Sequence, residues 1–199
     1  MAGLATTGRT ADTREIMNSD RSTLALQLLR EHADVRDAVV IDNATGAGQP
    51  AELLAVVLPG DYCNGADLRD ALIASIGLEP TRPVVLLEPD AAGFAAAKAS
   101  PGDPVAVPED SPYVYRWQEP DTDLERALCA VVNECLGRER TSLSDNFVDL
   151  GGDSMTAIRV VSELDERFGI TLPLESLFEA ESIADLVEAA EQSRSEDLV

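Results

Sequence analysis

The chain has 199 residues, 45% of them hydrophobic, which is enough for one or two domains with buried cores. Its formal charge of −22 disfavours duplex nucleic acid and anionic membranes as partners and favours basic proteins. His32 is the only histidine, and the three cysteines lack CxxC spacing, so neither a metal site nor a disulfide framework is expected. No apolar run has signal-peptide or membrane-spanning length, which predicts a cytoplasmic protein.

The N-terminal half predicts a small α+β domain, assigned to residues 1–100, with about three strands and two or more helices. Two segments with leucine and isoleucine at helical spacing predict helices: Ser22–His32 and Asp67–Ile76. Three short β-branched runs bounded by Asn, Gly and Pro predict strands: Ala38–Asp42, Leu53–Pro59 and Pro83–Leu87.

A proline-rich stretch follows. Six of the 11 prolines lie between Pro89 and Pro120, which predicts an extended connection that includes the alanine-rich segment 91–100, with the linker proper at 101–120. Tyr113, Tyr115 and Trp117 alternate near its end. That spacing fits either a segment lying on a surface or a short edge strand, and the sequence leaves both open.

The helical spacing of apolar residues in 121–192 predicts an all-α domain of three main helices and one short one, similar to a four-helix bundle. Residues 193–199 are expected to form a tail. Thr122, Asp153 and Ser182 are the expected N-terminal caps, and Gly137 and Gly169 the expected ends. Apolar stripes are expected on the three main helices: Leu124, Leu128, Val131 and Cys135; Ile158, Val161, Leu164 and Phe168; and Ile183, Leu186, Val187 and Ala190.

The most informative motif is Gly151-Gly-Asp-Ser154. Two glycines permit a tight turn, Asp153 caps the next helix, and Ser154 then stands at the positive end of that helix. An anion attached to the Ser154 hydroxyl would be stabilised by the helix dipole and by unpaired backbone N–H groups, so the position suits a phosphoester. A simple turn with a cap is the alternative that these four residues alone allow.

The wider stretch resembles the peptidyl carrier, or thiolation, domain of nonribosomal peptide synthetases. The resemblance runs from about Thr122 to Glu191 and is carried by a series of matching segments: Asp145-Asn-Phe147, Asp149-Leu-Gly-Gly-Asp-Ser154, Ala157-Ile158, Phe168-Gly-Ile170, Leu172-Pro-Leu-Glu-Ser-Leu-Phe178 and Ser182-Ile183. It implies that Ser154, beside Gly152 and Asp153, accepts 4′-phosphopantetheine from coenzyme A through a separate phosphopantetheinyl transferase. The arm would then carry an aminoacyl or peptidyl thioester in secondary-metabolite biosynthesis, and the chain itself would catalyse nothing.

Partners are expected to dock beside Ser154. Met155, Arg159, Leu177 and Phe178 are the candidate docking residues, although Phe178 and Met155 could instead close the bundle core. The resemblance implies as partners the transferase, an adenylation enzyme acting in trans, and condensation or tailoring enzymes.

Residues 8–100 resemble, more faintly, the C-terminal subdomain of adenylation enzymes. The matching segments are Gly8-Arg9 with Asp12, His32–Val40, Leu53–Leu58 and Pro83–Leu87. The large ATP-binding core is missing, and Lys98 stands near the family's catalytic lysine without its Asn-Gly context. The favoured interpretation is a non-catalytic remnant that supports the carrier or docks a partner. Two alternatives remain: half of a split adenylation enzyme completed in trans, and an interaction module whose serine is unmodified.

Overall fold

The structure is a computed structural model that describes residues 9–43, 52–77, 83–99, 107 and 111–196. It divides into two compact units, the first ending at Val114 and the second beginning at Tyr115. Three parts of the earlier predictions lie outside the described residues: Gly8 of the adenylation-like match, residues 101–106 and 108–110 of the expected linker, and residues 197–199 of the expected tail. Within the described ranges, no helix has the length and apolar character needed to cross a membrane.

The first unit confirms the predicted mixture of helices and strands. Its elements, in chain order, are α1 (Arg9–Glu31), β1 (Val35–Asn43), β2 (Glu52–Pro59), α2 (Gly65–Ile76), β3 (Pro83–Leu87), α3 (Ala91–Ala99) and β4 (Val114–Tyr115). Asn64 caps α2 by accepting the N–H of Ala66 at 2.8 Å, and the predicted end at Gly77 has the left-handed backbone of a C-cap.

The four strands form one mixed sheet in the order β1-β2-β3-β4. β1 pairs antiparallel with β2, with Val39 opposite Val56, and β2 pairs parallel with β3, with Ala55 opposite Val85. β4 lies at one edge, where the N–H of Leu87 donates to the Tyr113 carbonyl at 2.9 Å. Of the two interpretations open for the alternating aromatic segment, the structure therefore shows the short edge strand.

Both faces of the central strands are buried, which explains their unbroken apolar sequence. On one face Leu54 and Val56 of β2 form a buried cluster with Phe94 of α3. Because side chains alternate along a strand, Leu53, Ala55 and Val57 point to the other face, where α1 contacts β2 and α2 contacts β3.

The prediction of an extended connection after Pro89 is wrong for the alanine-rich segment. Residues Ala91–Ala99 form α3. Alanine is the strongest helix former, and Asp90 supplies the start of the helix by accepting the N–H of Gly93 at 3.0 Å. Phe94 then gains a position that is only 4% exposed, and this burial favours a helix over an extended linker.

The second unit confirms the predicted helical bundle. Its elements are α4 (Asp123–Leu136), α5 (Ser154–Phe168), α6 (Ser176–Glu179) and α7 (Ile183–Glu196), the last running into the segment expected as tail. Thr122 and Asp153 cap α4 and α5 with reciprocal side-chain bonds, and both helices end at a left-handed glycine, as predicted. The predicted stripe of α7 is buried.

The buried face of α5 differs from the predicted one. The spacing predicts a stripe of Ile158, Val161, Leu164 and Phe168, but the buried residues are Ala157, Val160 and Leu164. Ile158 is 51% exposed and Phe168 is 42% exposed. The pattern is ambiguous because alanine fits a core and a surface equally well, so two overlapping stripes share Leu164.

Candidate functional site

The long loop between α4 and α5 is fixed by a buried acidic side chain. Asp145 is only 1% exposed, and its carboxylate accepts the N–H of Ser142 at 2.8 Å. Its backbone carbonyl accepts the N–H of Ile183, the first residue of α7, at 2.8 Å. The loop is therefore attached to the start of the last helix rather than free in solution.

Asn146 adds a second attachment through its side-chain amide. The Nδ2 group donates to the carbonyl of Ala180 at 2.9 Å, while Oδ1 accepts the N–H of Val148 at 2.8 Å. This use of both ends of an amide closes a local turn and joins it to the segment after α6. The sequence identifies Asn146 only as part of a matching motif, without a role.

Phe147 packs against the glycine turn and is hydrogen-bonded to it. It is 1% exposed, and a Cβ added to Gly152 would lie 2.3 Å from its ring. The Phe147 carbonyl accepts the N–H of Gly152 at 2.9 Å, so ring and backbone both hold this turn. Gly151 has φ +93°, a conformation that side chains disfavour. A side chain is therefore disfavoured at both positions, at Gly152 by close contact with Phe147 and at Gly151 by its backbone conformation.

Asp153 is the N-cap of α5, so its side chain lies at the positive end of the helix dipole. Its Oδ1 accepts both the N–H and the hydroxyl of Thr156 at 2.8 Å, and its own N–H donates to Thr156 Oγ1 at 2.8 Å. The bond from the Thr156 N–H lowers the pKa of the Asp153 carboxyl below its ordinary value, so the carboxylate is the favoured form. The capping role predicted for Asp153 is confirmed.

Ser154 is the first residue of α5 and is exposed. Its hydroxyl makes no hydrogen bond to any of the residues that the structure describes. The sequence predicts unpaired backbone N–H groups beside Ser154. One of them is already paired, because the N–H of Thr156 donates to the carboxylate of Asp153. A group esterified to Ser154 would feel the helix dipole but would extend into solvent beside the cap. The exposed oxygen and the small glycines before it leave room for such a group.

Two exposed apolar side chains follow Ser154 on α5, and a third lies on α6. Ile158, four residues on, shares its face of α5, and Met155 beside it is 70% exposed. Phe178 of α6 is 42% exposed and meets the Phe147 ring edge-on with centroids 6.1 Å apart. The sequence interpretation misses Ile158 as a surface residue, although its spacing of four from Ser154 could have identified it.

Leu177 and Arg159, two of the expected docking residues, differ in their exposure to solvent. Leu177 is fully buried, which is a correction, because it can present no surface to a partner. Arg159 is exposed, and its guanidinium donates to the carbonyl of Cys135 at the end of α4 at 3.5 Å. The other expected docking residues are exposed: Met155, Arg159 and Phe178.

The cysteines of the second unit are core residues. Cys129 is 4% and Cys135 7% exposed. Burial raises the pKa of Cys129 to about 12 and also raises the pKa of Cys135, so both are protonated thiols at neutral pH. No group of three or more metal-ligating side chains comes together among the described residues.

Lys98 of the first unit forms an ion pair with an acidic side chain of the sheet. Its ammonium pairs with the carboxylate of Asp37 in β1, and Arg30 of α1 lies 3.5 Å from that same carboxylate. The bond from Lys98 is the main cause that lowers the pKa of Asp37. Lys98 thus joins α3 to the sheet.

Comparison with known proteins identifies the second unit. The family model described as "Phosphopantetheine attachment site" matches residues 126–190, a range that includes the fixed loop, the capped helix and the exposed serine at its start. Residues 126–190 belong to this family, so the unit is a carrier domain for a 4′-phosphopantetheine arm. This confirms the resemblance seen in the sequence.

The curated relatives of this chain include a probable nonribosomal peptide synthetase. The chain is 32% identical over 163 residues to a probable non-canonical nonribosomal peptide synthetase, CymA, from Salinispora arenicola, and 36% identical over 78 residues to indigoidine synthase from Streptomyces lavendulae. The matches cover 81% and 39% of this chain but only 2% and 6% of those proteins. The longer match takes in part of the first unit as well as the carrier segment.

A solved structure described as a nonribosomal PCP domain is 35% identical and covers 36% of this chain and 91% of its own, with a TM-score of 0.34. The assignment rests on the sequence matches.

Proposed function

We propose that Ser154 carries the 4′-phosphopantetheine arm and that the chain presents an aminoacyl or peptidyl group during nonribosomal peptide synthesis. One observation carries this proposal. Ser154 presents an exposed hydroxyl, unbonded within the described residues, at the start of a helix whose preceding loop is fixed by Asp145, Asn146 and Phe147. A reactive oxygen on a rigid support is what a separate transferase can recognise and modify.

The attachment step needs no catalytic group from this chain. The Ser154 oxygen forms a bond to the β-phosphorus of coenzyme A, and the bond from that phosphorus to the bridging oxygen breaks. The products are the phosphoester and adenosine 3′,5′-bisphosphate, and the hydroxyl proton leaves through the transferase. The arm supplies a terminal thiol that holds the acyl group as a thioester. Asp153 and Gly152 keep the oxygen at the exposed end of α5.

The proposed docking surface consists of Met155, Ile158, Arg159 and Phe178. The phosphopantetheinyl transferase would bind there first, followed by an adenylation enzyme acting in trans and by condensation or tailoring enzymes. Acidic residues outnumber basic ones by 20 to 6 from Glu119 to the C terminus, so these partners should present basic surfaces around an apolar centre. We propose a non-catalytic role for the first unit, because Lys98 is paired with Asp37.

The proposal is tested by intact-mass measurement after incubation of the full chain with coenzyme A and a broad-specificity transferase. Wild type should gain one phosphopantetheine group. Ser154→Ala should gain none and should keep its thermal midpoint, because Asp153 still caps α5. Ser162→Ala, which alters another exposed serine of α5, is the matched control and should be modified normally.

The site assignment is wrong if Ser154→Ala still gains mass. The carrier role itself is wrong if wild type stays at its unmodified mass under conditions in which the same transferase modifies another carrier domain.

A further inference from the structure

The segment that enters the second unit is bonded to the loop that precedes Ser154. We name residues 116–118 the strap. The N–H of Gln118 donates to Ser142 Oγ at 2.7 Å, and the Gln118 carbonyl accepts the N–H of Leu143 at 3.0 Å. The Arg116 carbonyl accepts the hydroxyl of Ser144 at 2.7 Å. These bonds join the strap to residues 142–144.

Ser142 is the central residue of this contact. It is fully buried, and its oxygen lies 2.9 Å from Ser144 Oγ. The Ser142 hydroxyl has three acceptors within reach: Ser144 Oγ at 2.9 Å, the Gln118 carbonyl at 3.3 Å and the Arg116 carbonyl at 3.4 Å. The oxygen of Ser142 accepts from Gln118 in turn. The two serines therefore form a continuous chain of donors and acceptors between strap and loop.

The same loop residues continue to the attachment site. The backbone of Ser142 is bonded to Asp145 in both directions, through the Asp145 carboxylate at 2.8 Å and the Ser142 carbonyl at 3.1 Å. Two residues on, Phe147 holds Gly152 by its carbonyl and its ring. Every step from the strap to the glycine turn is a hydrogen bond, a ring contact or a short stretch of covalent chain.

We infer that the strap positions Ser154 by fixing this loop, with Ser142 as the positioning residue. This deepens the proposed function, since it names what holds the attachment oxygen in place. Loss of the strap should increase local opening of the loop while the helical core remains folded. A carrier whose loop is partly open should bind the transferase with lower apparent affinity, because only the closed fraction is competent.

The test uses the full chain and compares Ser142→Ala with Ser144→Ala, which changes an exposed residue and so preserves the fold. Amide hydrogen exchange is followed at Gly152, which touches neither serine. Its exchange should become about tenfold faster in both variants, the change that corresponds to one net hydrogen bond. Ser144→Thr retains the hydroxyl and should restore slow exchange. Ser193→Ala, whose hydroxyl bonds Ala189 within α7, is the control.

Arm attachment gives a second readout. The KM for the carrier should rise in both alanine variants at unchanged kcat, by the factor by which the closed fraction of the loop falls. Unchanged exchange at Gly152 would overturn the positioning role, and so would a KM that does not follow the closed fraction given by the exchange rates. A chain that takes no arm at all would contradict the proposed function instead, and hydrogen exchange would still decide whether the strap fixes the loop.

Discussion

Lys98 in the first unit and Ser154 in the second are both exposed side chains that the sequence marks as possible reactive groups. Their surroundings differ. Lys98 is paired with Asp37, so its charge is used to hold α3 against the sheet. The neighbours of Ser154 are bonded to one another and, within the described part of the chain, leave its oxygen unbonded. The contrast shows that a candidate reactive group must be judged by what its neighbours bind, and not only by its residue type.

The largest expected effect concerns the support beneath Ser154. Phe147→Ala should lower the free energy of unfolding of the second unit by about 3–5 kcal/mol, because a buried ring that contacts Gly152 is removed. Urea unfolding followed by the fluorescence of Trp117, the only tryptophan, measures this unit specifically.

Phe178→Ala is the matched control for this variant. The ring is 42% exposed, so the loss should be about 1 kcal/mol, most of it from the edge-on pair with Phe147. Equal losses in the two variants would show that the attachment loop has no special support.

A smaller effect is expected at the docking surface. Met155→Ala should raise the KM of the transferase for the carrier about fivefold, equivalent to about 1 kcal/mol, because a 70% exposed apolar side chain beside Ser154 no longer contacts the partner. Steady-state kinetics of arm attachment measure it. Phe168→Ala is the control, since it removes an exposed apolar side chain from the far end of α5. A KM that responds equally to both changes would contradict the proposed surface.

The smallest effect is expected at Lys98. Its side chain is half exposed, so Lys98→Ala should lower the stability of the first unit by about 0.5 kcal/mol and leave arm attachment unchanged. Amide exchange in α3 measures the stability change, and Lys98→Arg should retain the pair. ATP-dependent acylation that requires a separate adenylation core and vanishes in Lys98→Ala would instead establish the split-enzyme alternative.

The sequence predicts those parts of the fold that depend on local rules. Thr122 and Asp153 as caps, Gly137 and Gly169 as ends, and the apolar strand β3 all follow from neighbouring residues. The helix α3 is not predicted, because the prolines around it indicate an extended segment. Its alanines and the Asp90 cap favour a helix locally, and the burial of Phe94 in a cluster with distant residues, which adds to that preference, cannot be seen in the sequence. The burial of Leu177 beside the exposed Phe178 likewise depends on how α6 packs, which spacing within four residues does not specify.

The candidate site divides in the same way. Ser154 and its cap can be predicted because turn, cap and helix start are consecutive in sequence. The roles of Ser142 and Asn146 cannot, since their partners lie 24 and 34 residues away. Contacts over such separations are set by tertiary packing and leave no local periodicity to detect.

The burial of Cys129 and Cys135 has a consequence for any cargo on the arm. A thioester is lost when a nearby thiolate attacks it and takes the acyl group onto itself. Because both thiols are shielded and their pKa values are raised, this internal transthioesterification is suppressed at neutral pH. The same shielding directs mild alkylating reagents away from these two sulfurs, so that in the second unit of a loaded and then deacylated chain the sulfur of the arm would be the one labelled.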